Sequence, residues 1–143
     1  MNNYTRYIFC KNNSINVRFM ELANMQDTRN SSIIENDVDD ISALRDIIIE
    51  LVDPDKIILF GSYAYGTPHD RSDADFLVIK NSTEYSIKDE ADLAVEIYNR
   101  RKELGIQTRC DAFLENESQA FMCAEDGGAY ADAFQKGKLI YVR

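Results

Sequence analysis

Two carboxylates placed two positions apart, Asp73 and Asp75, lead directly into the apolar run 76–79. In a β-strand alternate side chains project from the same face, so both carboxylates lie on one side of the chain. Neighbouring carboxylates repel, and each raises the pKa of the other unless a positive charge lies between them. A hard divalent cation such as Mg²⁺ supplies that charge. The pair therefore indicates a metal site, against the alternative of a solvated acidic loop.

A Gly-Ser turn lies upstream, with ten residues between Ser62 and Asp73. Gly61 and Ser62 follow the apolar run 57–60, which is typical of a strand buried on both faces. Where a chain passes from a strand into a helix, the first backbone N–H groups lack intrahelical partners and can bind phosphate. Gly61 would let a phosphate approach without a side-chain clash, and the Ser62 hydroxyl either caps the helix or binds a phosphate oxygen. A plain serine-capped turn is the commoner explanation of an isolated Gly-Ser pair.

A third carboxylate, Asp111, lies inside the apolar stretch 109–114. A single acidic residue among apolar neighbours is poorly explained as a residue that keeps the protein soluble. A third acid would help to hold two metal ions and would take the proton from an attacking hydroxyl. The alternative is an acid at a strand edge paired with Arg109. Together with the upstream motif, the sequence favours the catalytic interpretation.

The elements that must position these residues follow from hydrophobic periodicity and turn residues. The sequence predicts helices or helical turns at 36–52, 62–65 and 86–104, and further helical stretches after residue 114 that break at Gly127 and Gly128. It predicts strands at 57–60, 73–79, 108–114 and 138–142. This order predicts an α/β (α+β) fold with a small mixed β-sheet flanked by helices.

The longest predicted helix has clear boundaries. Ser86 and Asp89 have the spacing of a capping box, and Gly105 is a typical residue after a helix end. Its apolar residues share one side of the helix and are expected to face the core. They are Ile87, Ala91, Ala94, Val95 and Tyr98.

Length and charge restrict the class of protein. A chain of 143 residues fits one domain of ordinary size. Residues 1–35 lack clear periodicity and are predicted to be an N-terminal extension, whereas 36–143 form the folded domain. The net charge of −9 argues against a protein that binds a nucleic-acid backbone directly. Residues 1–35 hold four of the 16 basic and three of the 25 acidic residues, which leaves 12 and 22 for residues 36–143.

The three cysteines and the hydropathy pattern indicate the compartment. Cys10, Cys110 and Cys123 are widely spaced and lack the CxxC arrangement of zinc or redox sites, so we expect reduced thiols. No apolar run approaches the length of a membrane span, and the N-terminus does not have the pattern of a secretory signal. We therefore expect a soluble cytoplasmic protein that does not bind membranes.

The combination of Gly61-Ser62, ten intervening residues, Asp73-x-Asp75 and a later strand acid resembles the nucleotidyltransferase superfamily of the DNA polymerase β type. Residues 36–143 are similar to the minimal nucleotidyltransferases of bacteria and archaea in element order, size and the closing strand. Relatives commonly have Arg in the place of Tyr65. This departure puts a cationic contact in question, which Arg71 or Lys56 would have to replace.

The resemblance implies a nucleoside triphosphate, with ATP as the donor, bound together with two Mg²⁺ ions. The β and γ phosphates would lie on Gly61 and Ser62, with Arg71 as a further phosphate contact. Asp73 and Asp75 would bind both ions. Asp111 would bind the catalytic ion and assist deprotonation of an acceptor hydroxyl, which then displaces pyrophosphate.

The acceptor is implied by the resemblance alone. Minimal nucleotidyltransferases are similar to antitoxins encoded beside HEPN-domain ribonuclease toxins, where the family transfers AMP from ATP onto a toxin tyrosine. The expected partner is therefore a HEPN toxin, and an oligomer is compatible with the sequence. Two alternatives stay open: a transferase acting on a small molecule such as an aminoglycoside, and an antitoxin that acts by binding alone.

Overall fold

The computed structural model describes residues 35–81 and 85–143, so the predicted N-terminal extension lies outside the described residues except for its last position. The described elements are α1 Glu35–Val52, β1 Lys56–Phe60, α2 Ser62–Tyr65, β2 Asp73–Ile79, α3 Ile87–Glu103, β3 Arg109–Glu115, α4 Glu117–Glu125, α5 Gly128–Lys136 and β4 Lys138–Val142. Each strand and helix that was predicted with bounds in residues 36–143 is present within one or two residues of those bounds, and the helical stretches predicted after residue 114 are α4 and α5.

The four strands form one mixed sheet in the order β3-β2-β1-β4. Strand β1 is antiparallel to both β2 and β4, whereas β2 is parallel to β3. The two central strands, β1 and β2, are buried along most of their length and have long apolar runs, because a strand covered on both faces has no solvent side for polar residues. The predicted small mixed sheet is confirmed.

Helices cover both faces of the sheet. α1 and α3 pack on the face that carries Ile57, Leu59 and Phe76. α4 and α5 pack on the opposite face, which carries Ile58 and Phe60. The alternation of these buried residues along β1 follows from the two-residue period of a strand. The sheet is therefore the middle layer, and its strand ends are free to carry polar side chains.

Helix α3 begins as predicted. The Ser86 hydroxyl accepts a hydrogen bond from the Asp89 N–H at 3.3 Å, and the Asp89 carboxylate accepts one from the Ser86 N–H at 2.8 Å. The Ser86 hydroxyl also donates to the Asp89 carboxylate, at 2.7 Å. The hydrogen bonds that the Ser86 N–H and hydroxyl donate to this carboxylate lower the pKa of Asp89, because they stabilise its charged form. After the helix, Gly105 has a φ of +70°, which favours glycine.

The predicted orientation of α3 is wrong. Ile87, Val95 and Tyr98 are 88%, 58% and 52% exposed, and the two alanines of the same stripe are exposed as well. Leu93 and Ile97 face the core instead. The apolar arc of this helix is wider than the surface that the sheet and α1 can cover. Packing through Leu93 and Ile97 leaves the neighbouring part of the arc in solvent.

Two of the three cysteines lie in the described part of the chain. Cys110 and Cys123 are free thiols, as predicted, and both are partly buried, while Cys10 lies outside the described residues. Burial, followed by the charges of Asp111 and Asp75, raises the pKa of the Cys110 thiol to about 12. This thiol is thus not a nucleophile at neutral pH. Among the described helices, none combines the length and apolarity needed to cross a membrane.

Candidate active site

Strand register brings the predicted carboxylates together at one end of the sheet. In the parallel pair of β2 and β3, Asp75 lies opposite Asp111 and Asp73 lies opposite Arg109. Paired residues of neighbouring strands share a face, and so do alternate residues of one strand. Asp73, Asp75 and Asp111 therefore project from a single face. Phe60, the last residue of β1, pairs with Asp75, so the turn that follows β1 lies beside the same carboxylates.

Gly61 forms that turn and contacts the acidic cluster. Its φ of +71° and ψ of −159° lie in a region that is essentially restricted to glycine. A Cβ at this position would lie 2.3 Å from Oδ2 of Asp75, so any side chain would displace the carboxylate. The carbonyl of Gly61 accepts hydrogen bonds from the N–H groups of Ala64 and Tyr65 at 3.0 and 3.1 Å. The turn is thus fixed by its backbone, with the carboxylate packed against it.

Ser62 is the first residue of α2 and does not cap it. The N-cap is Gly61, and the helix start has no side-chain capping hydrogen bond. The serine-cap alternative is therefore wrong. Binding of phosphate by Gly61 and Ser62 stays a prediction, which this geometry permits because no side chain covers the helix start from the N-cap position.

Burial and neighbouring negative charge both act on the carboxylate of Asp75. Burial, followed by the charges of Asp111 and Asp73, raises the pKa of Asp75 from 3.8 to about 6. Each of these effects disfavours the ionised carboxylate. A cation between the carboxylates would reverse the effect of the two neighbouring charges.

Arg109 lies at the predicted site, where the sequence suggested it only as a partner of Asp111. Its Nε donates to Oδ1 of Asp73 at 2.6 Å, and its Nη2 donates to the carbonyl oxygen of Arg71 at 2.7 Å. The suggested pairing of Arg109 with Asp111 is wrong, because the parallel register places Arg109 opposite Asp73. Its position two residues before Asp111 was the available signal, since that spacing puts both side chains on one strand face.

The donor set suits a hard cation, because it consists of carboxylate oxygens beside a turn that no side chain crowds. The residues therefore fit Mg²⁺ by their chemistry. Within residues 35–81 and 85–143, however, no three or more His, Cys, Asp or Glu side chains are already grouped to hold a metal ion. One of the carboxylates, Asp73, is instead bound to Arg109. Two bound Mg²⁺ ions stay a prediction.

Lys56 and Arg71 were the two candidates to replace the arginine that relatives have at the position of Tyr65. Lys56 lies at the opposite end of β1 from Gly61 and pairs with Glu117 at 2.7 Å, so that suggestion is wrong. Arg71 lies in the exposed loop just before β2, where its carbonyl anchors Arg109.

Tyr65 itself has a neighbouring cation. Its hydroxyl donates to Asp132 at 3.2 Å, and Nζ of Lys136 lies 5.9 Å from the centroid of its ring. Lys136 also pairs with Asp132 at 3.1 Å. Burial is the largest cause that raises the pKa of Tyr65, and the charge of Asp132 adds to it, so the phenol stays neutral at neutral pH. Lysine charge is therefore present beside the position where relatives have arginine.

The chain is similar to one family of known proteins and to solved structures. A family model described as "Nucleotidyltransferase domain" matches residues 41–119, which is more than half of the 143-residue chain and includes every predicted site residue. A chain of a structure described as "Crystal structure of the toxin-antitoxin with AMP-PNP" is 22% identical, with a TM-score of 0.44 over 77% of this chain and 75% of that chain. Comparison with curated proteins gives no match.

Proposed function

Because the chain belongs to the nucleotidyltransferase domain family, we propose that it transfers AMP from ATP, with Mg²⁺, to a hydroxyl of a partner protein. The observation that supports this most directly is the register of β2 and β3. It places Asp73, Asp75 and Asp111 on one face, and the turn at Gly61 lies against Asp75. We further propose that residues 36–143 form the minimal transferase domain and that residues 1–35 are an extension to it.

In this proposal the three carboxylates would hold the metal, and Asp111 would take the proton of the acceptor hydroxyl. Bound Mg²⁺ would polarise the α phosphate and neutralise charge that develops on it. A bond forms between the acceptor oxygen and the α phosphorus, and the bond from that phosphorus to pyrophosphate breaks. The N–H groups that follow Gly61 would orient the triphosphate for this displacement, and no covalent enzyme intermediate is needed.

The proposed acceptor is a HEPN-type toxin, with this chain as its antitoxin. The net charge of −9 supports a protein acceptor, because it suits a basic partner. The toxin identity follows from the sequence resemblance to minimal nucleotidyltransferases.

The direct test is transfer to the product of the neighbouring gene. Incubation of both proteins with Mg²⁺ and ATP should add AMP to the partner, detected as a mass increase by intact-protein mass spectrometry. The double variant Asp73→Asn with Asp75→Asn should abolish the addition. Asp92→Asn is the matched control, because it removes an exposed carboxylate on α3 and should leave transfer unchanged.

Two other results would overturn the proposal. A partner that is bound and inhibited without gaining mass would identify an antitoxin that acts by binding alone. An unmodified partner together with an adenylylated aminoglycoside would identify a small-molecule transferase.

A further inference from the structure

The acidic end of the sheet already holds a cation of the protein itself. The guanidinium of Arg109 binds the Asp73 carboxylate through Nε at 2.6 Å and the backbone oxygen of Arg71 through Nη2 at 2.7 Å. The parallel register fixes this arrangement, because Arg109 and Asp73 lie directly opposite each other. Arg109 also precedes Asp111 by two residues and therefore shares its face.

This guanidinium and a metal ion would bind the same carboxylate. A metal ion bound by all three acids needs Asp73, whose Oδ1 is engaged by Arg109. In the described ranges, no set of three or more potential ligands is already assembled for a metal. We propose that Arg109 is an internal counter-ion, which neutralises Asp73 in the metal-free protein and leaves it when a divalent cation binds. The inference rests on the proposed function for the assignment of Asp73 as a metal ligand.

The exposure of the pair makes this exchange feasible. The side chains of Arg109 and Asp73 are 58% and 37% exposed, and ion pairs at such positions contribute little to stability. A divalent cation attracts a carboxylate about twice as strongly as a guanidinium at the same distance and dielectric constant. Arg109 should thus weaken the binding of the metal without preventing it.

Metal binding to the full chain without nucleotide tests the proposal. The probe is Mn²⁺, titrated while the electron paramagnetic resonance signal of the free ion is recorded. Arg109→Gln should tighten Mn²⁺ binding by about 3- to 10-fold, because displacement of the ion pair is no longer required, and tenfold corresponds to about 1.4 kcal/mol. Arg109→Lys keeps the charge and should bind more weakly than Arg109→Gln.

The matched control is Arg100→Gln. It removes one positive charge from another exposed ion pair, Arg100 with Glu50, and should change Mn²⁺ affinity by less than about twofold. This control separates a local contact from the effect of net charge. The gain in Mn²⁺ affinity of Arg109→Gln over wild type should also become smaller at high salt, because salt already screens the ion pair of Arg109 with Asp73 in wild type.

The outcomes distinguish this inference from the proposed function. If wild type binds Mn²⁺ and Asp75→Asn loses that binding, the signal reports the acidic cluster. Arg109→Gln binding no tighter than Arg100→Gln would then overturn the counter-ion role and leave the transferase proposal standing. Absence of Mn²⁺ binding in wild type, or full binding in Asp75→Asn, would overturn the metal site itself and the counter-ion role with it.

Discussion

Replacing Asp75 with asparagine should stabilise the metal-free protein while it abolishes transfer. Burial and the charges of Asp111 and Asp73 raise the pKa of Asp75 from 3.8 to about 6, so its ionised form destabilises the fold at neutral pH. The difference between these pKa values corresponds to about 3 kcal/mol. Because the carboxylate is partly exposed, solvent screening reduces this to about 1–2 kcal/mol. Asparagine has nearly the same shape as aspartate and no charge. Asp75→Asn should therefore raise the free energy of unfolding at neutral pH by that amount.

The pH dependence follows from the direction of the shift. The folded protein binds a proton at Asp75 at pH values where the unfolded chain has already lost it, so the free energy of unfolding of wild type falls as pH rises from about 4 to above 6. Asp75→Asn lacks this contribution. The free energies of unfolding of wild type and Asp75→Asn should therefore differ little near pH 4 and by about 1–2 kcal/mol above pH 7.

Urea unfolding followed by circular dichroism, in the presence of a chelator at pH 4.5 and pH 7.5, measures both quantities. Asp92→Asn is the control for loss of an exposed carboxylate and should change the free energy of unfolding by less than about 0.5 kcal/mol. Added Mg²⁺ should raise the stability of wild type and leave Asp75→Asn unchanged, because only a ligand that binds the folded state stabilises it. Equal or lower stability of Asp75→Asn at pH 7.5 with chelator would refute this account of the cluster.

Three further substitutions test the turn, a helix start and the core. Gly61→Ala should lose about 1–3 kcal/mol of stability, measured by denaturant unfolding, because φ is positive at this position. It should also lose activity in the transfer assay, because the new Cβ would displace the carboxylate of Asp75. Ser86→Ala removes the capping box of α3 and should lose about 1 kcal/mol in the same unfolding experiment with transfer unchanged. Phe134→Ala should lose about 3–5 kcal/mol by thermal or urea unfolding, since the ring is 1% exposed and stacks on Phe121 with centroids 4.3 Å apart. A loss under 1 kcal/mol in the last variant would contradict the described core.

Local patterns predicted most of the elements of residues 36–143. The apolar run 57–60 predicted a strand buried on both faces, and the structure places it at the centre of the sheet. Ser86 with Asp89 predicted the start of α3, and both hydrogen bonds of the capping box are present. These features depend on residues within a few positions of one another, so the sequence is sufficient to predict them.

Tertiary pairing decided the details of the site. The spacing of Asp73 and Asp75 predicted a shared face, and the same period linked Arg109 to Asp111. Only the parallel register of β2 and β3 decided that Arg109 lies opposite Asp73 and Asp111 opposite Asp75. Periodicity determines which residues share a side of one element and contains no information on which residues of a distant strand lie beside it.

The same distinction explains the orientation of α3 and the location of Lys56. The sequence determined that Ile87, Val95 and Tyr98 lie on one side of a helix. Packing of that helix on the sheet and α1 through Leu93 left the stripe exposed. The direction of β1 likewise placed Lys56 at the end of the strand away from Gly61. Sequence by itself determined the elements and the candidate acids, and the long-range packing of those elements decided which side chains meet, because such contacts depend on residues far apart in the chain.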